Sequence, residues 1–241
     1  MNNNEFAGIL EEALGHDATF FDVILPRLKK PTSHEMAALC QVLETGGVVS
    51  RQLVARLFSE HLGTVGADYL TGRLDIAQPR LFVEAAAILG QLKYEPAIDA
   101  LSMGLLLSTP ELVLPAVKAL AMMPPSRRVD DILVGFYLDF PDEIKLSQSI
   151  RYLLGRQQTI VHELLEKYRS LSADRRMWVL KFLAETGSHE SLKLFSEELQ
   201  AEPLERGLYC IRGLGQIASD AAVDTLKKHA GHAEWFIRKR I

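Results

Sequence analysis

A spacing of 31 residues recurs along this chain and constrains its fold more than any other feature. Pro79, Pro110 and Pro141 lie 31 residues apart, and two further steps of the same length reach Ser172 and Pro203. Proline is favoured in the first turn of a helix, where its missing N–H would have no partner, and serine is favoured at the N-cap. The spacing therefore predicts five helices that begin at equivalent positions.

Apolar residues follow the same period. Within each unit they recur at intervals of three and four residues, which is typical of a helix, and not at the interval of two that is typical of a strand. A second helix in each unit has apolar positions of its own. One helix pair cannot bury its apolar stripe alone, whereas stacked pairs join their stripes into a continuous core. The sequence predicts an all-α fold, an α-solenoid of stacked antiparallel helix pairs. Leucines at one equivalent position of the first helices are expected in its core: Leu89, Leu120, Leu183 and Leu214.

Two segments carry the repeat most clearly. Ala85–Gln91 followed by Ala97–Leu101, and Ile211–Ile217 followed by Ala221–Leu226, resemble a HEAT-like repeat of the phycobilin-lyase type. The resemblance implies a fold and not a function, because such repeats support many roles. We predict an irregular helical N-terminal cap with early repeats over residues 1–78. Regular HEAT-like repeats are predicted over 79–241, and both parts are expected to form one continuous solenoid.

Gly213 and Gly215 match the G-x-G-x-x-A pattern of dinucleotide-binding sites. Such a site places its glycines at the start of a helix that lies between two strands. The repeat instead places both glycines near the end of a first helix, so a packing role is favoured. Small residues at one equivalent position are predicted to let neighbouring helices approach closely: Gly90, Ala121, Ala184 and Gly215.

Three His-Glu pairs begin at His34, His162 and His189, but none continues to the second histidine of a His-Glu-x-x-His zinc motif. Deoxyhypusine hydroxylases are HEAT-like di-iron proteins with His-Glu pairs at one repeated position of the first helix, and the matching positions here contain no histidine. His162 and Glu166 are spaced to share a helix face, but two ligands do not make a metal site. We predict no metal, no cofactor and no catalytic residue.

The formal net charge of −4 argues against nucleic acid as a partner, because nucleic-acid binders usually present a basic surface. The most apolar segment contains charged residues and prolines, so no membrane span is expected. Cys40 and Cys210 are the only cysteines of the chain. Two isolated thiols are typical of a reducing compartment, and a cytoplasmic location is predicted.

The stretch from Leu81 to Ser126 contains only six charged residues. Either the middle of the solenoid is better buried than its ends, or part of this stretch is an exposed apolar patch for a partner. Met103 and Met122 suit such a patch, because methionine adapts to a partner's shape.

These patterns lead to a functional prediction. The chain is expected to be a non-catalytic protein–protein interaction scaffold or adaptor, and not an enzyme. Its expected partner is another protein, with a homodimer as a further option. The alternative is an enzyme-like HEAT protein of the chromophore-lyase or DNA-glycosylase type. Glu190 lies on the same second-helix face as several candidate residues. The candidate partner-binding residues come from second helices or from the charge-poor stretch: Asp99, Met103, Leu106, Met122, Arg127, Asp130, Asp131, His162 and Glu166.

Overall fold

The computed structural model describes residues 3–16, 19–106, 110–139, 152–200 and 204–229. Within these ranges the regular secondary structure is entirely helical and contains no strand, so the predicted all-α fold is confirmed. The chain divides into two compact units, Met1–Pro124 and Pro125–Ile241. Residue 79, the predicted start of the regular repeats, falls inside the first unit, and the predicted division at that point stays a prediction.

The first unit is built of short helices that pack on their sequence neighbours and on the helix after next. Helix α6 packs against α8, and α7 packs against α8, as expected for stacked helix pairs. A π-helical turn, Phe58–Leu62, joins α4 to α5. The α-helices of this unit are α1 (Asn3–Leu14), α2 (Phe20–Ile24), α3 (Ser33–Thr45), α4 (Val48–Leu57), α5 (Gly63–Thr71), α6 (Pro79–Gln91), α7 (Ile98–Leu106) and α8 (Pro110–Met122).

The second unit repeats this arrangement. Helix α11 packs against α13, and α12 packs against α13. Its described α-helices are α9 (Arg127–Asp139), α10 (Gln157–Lys167), α11 (Ala173–Thr186), α12 (Leu192–Gln200), α13 (Leu204–Ile217) and α14 (Asp220–His229).

The helix starts follow the predicted period wherever the structure describes them. Pro79 is the first residue of α6, Pro110 is the first residue of α8, and Ser172 is the N-cap of α11. Pro141 and Pro203 lie outside the described residues. The predicted core position is confirmed as well, because four leucines at it are fully buried: Leu89, Leu120, Leu183 and Leu214.

Of the two glycines predicted at close contacts between helices, Gly90 lies at such a contact and Gly215 does not. A Cβ added at Gly90 would lie 2.8 Å from the Cα of Ala119, so a tight contact between α6 and α8 requires glycine there. A Cβ at Gly215 would meet no atom within 4 Å, whereas a Cβ at Gly213 would lie 2.3 Å from the buried Phe195 ring. The packing role in α13 therefore belongs to Gly213. Both glycines lie well inside α13 and not at its start, which does not suit a phosphate-binding turn.

Alanine substitutions should separate the two glycines. Gly213→Ala should lower the free energy of unfolding by about 1–3 kcal/mol, because the new methyl group overpacks the contact with Phe195. Gly215→Ala should raise it by about 0.5–1 kcal/mol, because alanine in an open helical position loses less backbone entropy than glycine. Urea unfolding followed by tryptophan fluorescence measures both. Equal effects of the two substitutions would contradict the assignment.

No helix among the described residues is both long and apolar enough to cross a membrane.

Candidate functional site

The second unit contains a cleft with a volume of about 770 Å³. Its walls are formed by the first turn of α9, by one face of α10, and by the 3-10 turn His189–Ser191. Five of the residues predicted for partner binding lie here together, as does Glu190 from the same predicted face. The lining residues are Arg127, Asp130, Asp131, Thr159, His162, Glu163, Glu166, Lys167 and Glu190.

Helical spacing and two local signals place these side chains on one surface. The lining residues of α10 recur at intervals of three and four, so they form one helix face. The Oγ of Ser126 accepts a hydrogen bond from the N–H of Val129 at 3.4 Å and caps the start of α9. Gly187 ends α11 with φ of +60°, a left-handed conformation that glycine adopts without strain. The chain then enters the turn that carries Glu190.

Asp130 is the residue that the structure places differently from the prediction. It was expected on an exposed face, but it is 4% exposed and forms an ion pair with the buried Arg156. Two nitrogen atoms of Arg156 donate to one oxygen of the carboxylate: Nε lies 2.8 Å and Nη2 lies 2.7 Å from Oδ1. A buried carboxylate requires such a counter-charge, which explains why Asp130 lies inside.

Arg156 and three residues of the cleft wall, Thr159, Glu163 and Lys167, were not among the residues predicted from the sequence. His162 and Glu166 were predicted on one face of α10. Thr159, Glu163 and Lys167 follow the same helical spacing of three and four residues, so this spacing could have identified them. No pattern marks Arg156, which lies in the 3-10 turn Leu154–Arg156 ahead of α10.

His162 lies between two carboxylates in the middle of the cleft wall. Its Nε2 lies 3.4 Å from Oε1 of Glu166, which confirms that the two side chains share a helix face. Its Nδ1 lies 4.0 Å from Oε2 of Glu190 in the following repeat. The His162 side chain is 70% exposed, so its ring is open to a bound molecule. An imidazole with a carboxylate near each ring nitrogen and open to a ligand is a suitable group for proton transfer.

The cleft carries an excess of negative charge. Arg156 pairs with Asp130, Lys167 forms an ion pair with Glu163, and Arg127 Nε lies 3.9 Å from Asp131 Oδ2. Five carboxylates thus face three basic side chains, an excess of two negative charges while His162 is neutral. Among the described residues, no lysine or arginine pairs with Glu166 or Glu190, and these two acids carry the excess.

The other four predicted residues belong to the first unit. Asp99 is exposed on α7. Met103, Leu106 and Met122 are 47%, 72% and 36% exposed, which favours an apolar patch over a better-buried middle of the chain. Contact of these residues with a partner stays a prediction.

The two cysteines do not contribute to a reactive site. Both are free and buried, one in each unit. Burial raises the pKa of Cys40 to about 11 and that of Cys210 to about 12. The thiolate, not the thiol, is the nucleophile, so neither group is activated near neutral pH. Within the described ranges, no three His, Cys, Asp or Glu side chains are grouped as metal ligands would be.

Comparisons with known proteins find a likeness in structure and none in sequence. No protein family matches the chain, and no curated protein resembles it in sequence. The chain is similar to the solved structure of human deoxyhypusine hydroxylase in complex with glycerol. The identity is 16%, the alignment covers 99% of this chain and 92% of that chain, and the TM-score is 0.39.

Deoxyhypusine hydroxylase is an enzyme with HEAT repeats. This neighbour contradicts the predictions of a non-catalytic scaffold or adaptor and of a protein that is not an enzyme. The likeness assigns no reaction, substrate or cofactor to this chain.

Proposed function

We propose that the chain is an enzyme-like protein with HEAT-like repeats. In this proposal the cleft of the second unit binds the substrate, and His162 transfers a proton. The observation that carries the proposal is the position of His162, with a carboxylate near each ring nitrogen and an open cleft in front of it. Histidine is the side chain most often used for general acid–base catalysis, and carboxylates commonly orient it.

The flanking acids have separate roles in this proposal. Glu166 lies one turn along the same helix and faces the Nε2 side of the ring. Glu190 comes from the next repeat, so it approaches the Nδ1 side from a different element. A carboxylate on each side of the ring favours an orientation of the ring suited to proton transfer with a bound substrate.

The negative charge of the cleft argues against both predicted enzyme types, the DNA glycosylase and the chromophore lyase. A DNA glycosylase needs a groove that attracts phosphates, and an excess of negative charge repels them. The carboxylates of a bilin chromophore would be repelled in the same way. We therefore propose acid–base chemistry on a substrate that is not an anion.

Hydrolysis of an activated ester, p-nitrophenyl acetate, tests whether His162 acts as a base or nucleophile. Loss of a general acid–base group typically costs about 10²–10⁴-fold in rate, and on this reporter substrate we expect His162→Asn to cost at least about fivefold. Glu166→Gln and Glu190→Gln should each reduce the rate by less. The matched control is His34→Asn, because His34 is exposed in the first unit and outside the cleft. Equal rates for His162→Asn and His34→Asn would refute the proposal.

A further inference from the structure

A buried ion pair joins two walls of the cleft at their starting points. Asp130 belongs to the first turn of α9, and Arg156 is the N-cap residue of α10. The two side chains are 6% and 4% exposed, and two nitrogen atoms of Arg156 donate to Oδ1 of Asp130 at 2.8 Å and 2.7 Å. The pair therefore ties the start of α10 to the start of α9.

The tied residue is linked in turn to the face of α10 that lines the cleft. The hydroxyl of Thr159 donates to the carbonyl oxygen of Arg156 at 3.1 Å, and Thr159 is a lining residue. His162 follows Thr159 after three residues, so the two side chains lie on one helix face. A slide or rotation of α10 at Arg156 would therefore move His162 relative to α9.

Apolar packing alone defines the alignment of two helices less sharply than this pair does. Helix α9 contacts α10. Apolar burial has no preferred direction, so a small slide of one helix on the other changes its free energy little. Two N–H donors on one carboxylate require a defined distance and angle, and a slide that breaks them leaves a buried charge without its partner. Of the contacts between α9 and α10, the ion pair is thus the one that distinguishes neighbouring alignments.

From these contacts we propose that Arg156 is a positioning residue for the cleft. Through its pair with Asp130 it holds α10 at one alignment with α9, and this alignment sets the distance from His162 to the α9 wall. The inference rests on the proposed function, because it adds a residue that acts on the proton-transferring histidine without touching the substrate. Misplacement of a reacting group by about 1 Å can reduce a rate about a hundredfold.

Two variants separate alignment of the cleft from stability of the fold. The double variant Asp130→Leu with Arg156→Met removes the pair without leaving a buried charge, so it should stay folded and lose the fixed alignment. The matched control is Arg206→Met. It removes a mostly buried arginine that pairs with Glu198 at 3.5 Å, outside the cleft. This control should lower stability and leave the cleft aligned.

The first readout is the His162-dependent rate, which is the difference in p-nitrophenyl acetate hydrolysis between a protein and the same protein with His162→Asn. We expect the double variant to lose at least about tenfold of this rate, because His162 is misplaced, and Arg206→Met to retain it. Arg156→Lys replaces the double variant if the latter does not fold. Lysine keeps the charge but lacks the rigid fork of donors, so the same loss of rate is expected.

The second readout is a distance and needs no reaction. Spin labels are attached at Arg127→Cys on α9 and Glu166→Cys on α10, because these two side chains are 95% and 69% exposed. The natural cysteines, Cys40 and Cys210, are buried and should not be labelled. Pulsed electron paramagnetic resonance should give a narrow distance distribution in the labelled chain and in its Arg206→Met form. The distribution should be broader or shifted in the double variant.

The outcomes separate this proposal from the proposed function. An unchanged distance distribution in the double variant overturns the positioning role, and so does an unchanged His162-dependent rate. An equal loss of rate in Arg206→Met also overturns it, because the loss would then follow stability and not alignment. A changed distribution in a chain whose hydrolysis does not depend on His162 supports alignment by the ion pair and refutes the proton transfer.

Discussion

Replacing Arg156 with methionine should destabilise the chain by about 3–5 kcal/mol, the usual cost of removing one partner from a buried ion pair. Both side chains of the pair are almost fully buried, at 4% and 6% exposure, so water cannot replace the lost counter-charge of Asp130. Urea unfolding measures the effect. Tryptophan fluorescence is a suitable signal because Trp178 lies in α11 of the second unit.

Two further variants show whether the cost comes from the unpaired charge. Arg127→Met removes a cleft arginine whose side chain is 95% exposed, and it should change stability by less than about 0.5 kcal/mol. The double variant Asp130→Leu with Arg156→Met should recover much of the loss, because no charge then remains buried. If the double variant is as unstable as Arg156→Met alone, the unpaired charge is not the cause.

Truncation of Leu183 to alanine should cost about 2–5 kcal/mol, through lost burial and the cavity left behind. Leu183 is fully buried in α11, at the core position that also holds Leu214 of α13. Thermal melting followed by far-UV circular dichroism measures the change. Leu106→Ala is the control, because Leu106 is 72% exposed and its removal should be nearly neutral. An unchanged melting temperature in Leu183→Ala would show that this position does not lie in the core.

The comparison of Gly213 with Gly215 shows how far a repeat pattern can be trusted. The repeat placed both glycines in the last part of a first helix, which the structure confirms. It selected Gly215 for the close contact because that residue aligns with Gly90. The Phe195 ring, however, lies against Gly213. Which of two nearby glycines meets a neighbour depends on the rotation of one helix against the next, and sequence alignment does not record that rotation.

In the cleft, too, the sequence predicted some features and helix packing decided others. Spacing of three and four residues was sufficient to place His162 and Glu166 together, and the repeat placed Glu190 on the same side. Asp130 was predicted on the exposed face of a second helix because helical periodicity placed it there with the other candidate residues. Its burial became possible only because Arg156, 26 residues further along, reaches the same place.

The sequence by itself determined the helices, their starts and the core positions at one repeated interval. These features depend on local physics: helical periodicity, capping and the preference of proline for a first turn. Only the tertiary structure decided that Asp130 is buried, that Arg156 neutralises it, and that His162 stands between Glu166 and Glu190. Those facts depend on distances between side chains from different repeats, which are set by packing and have no signature in the order of residues.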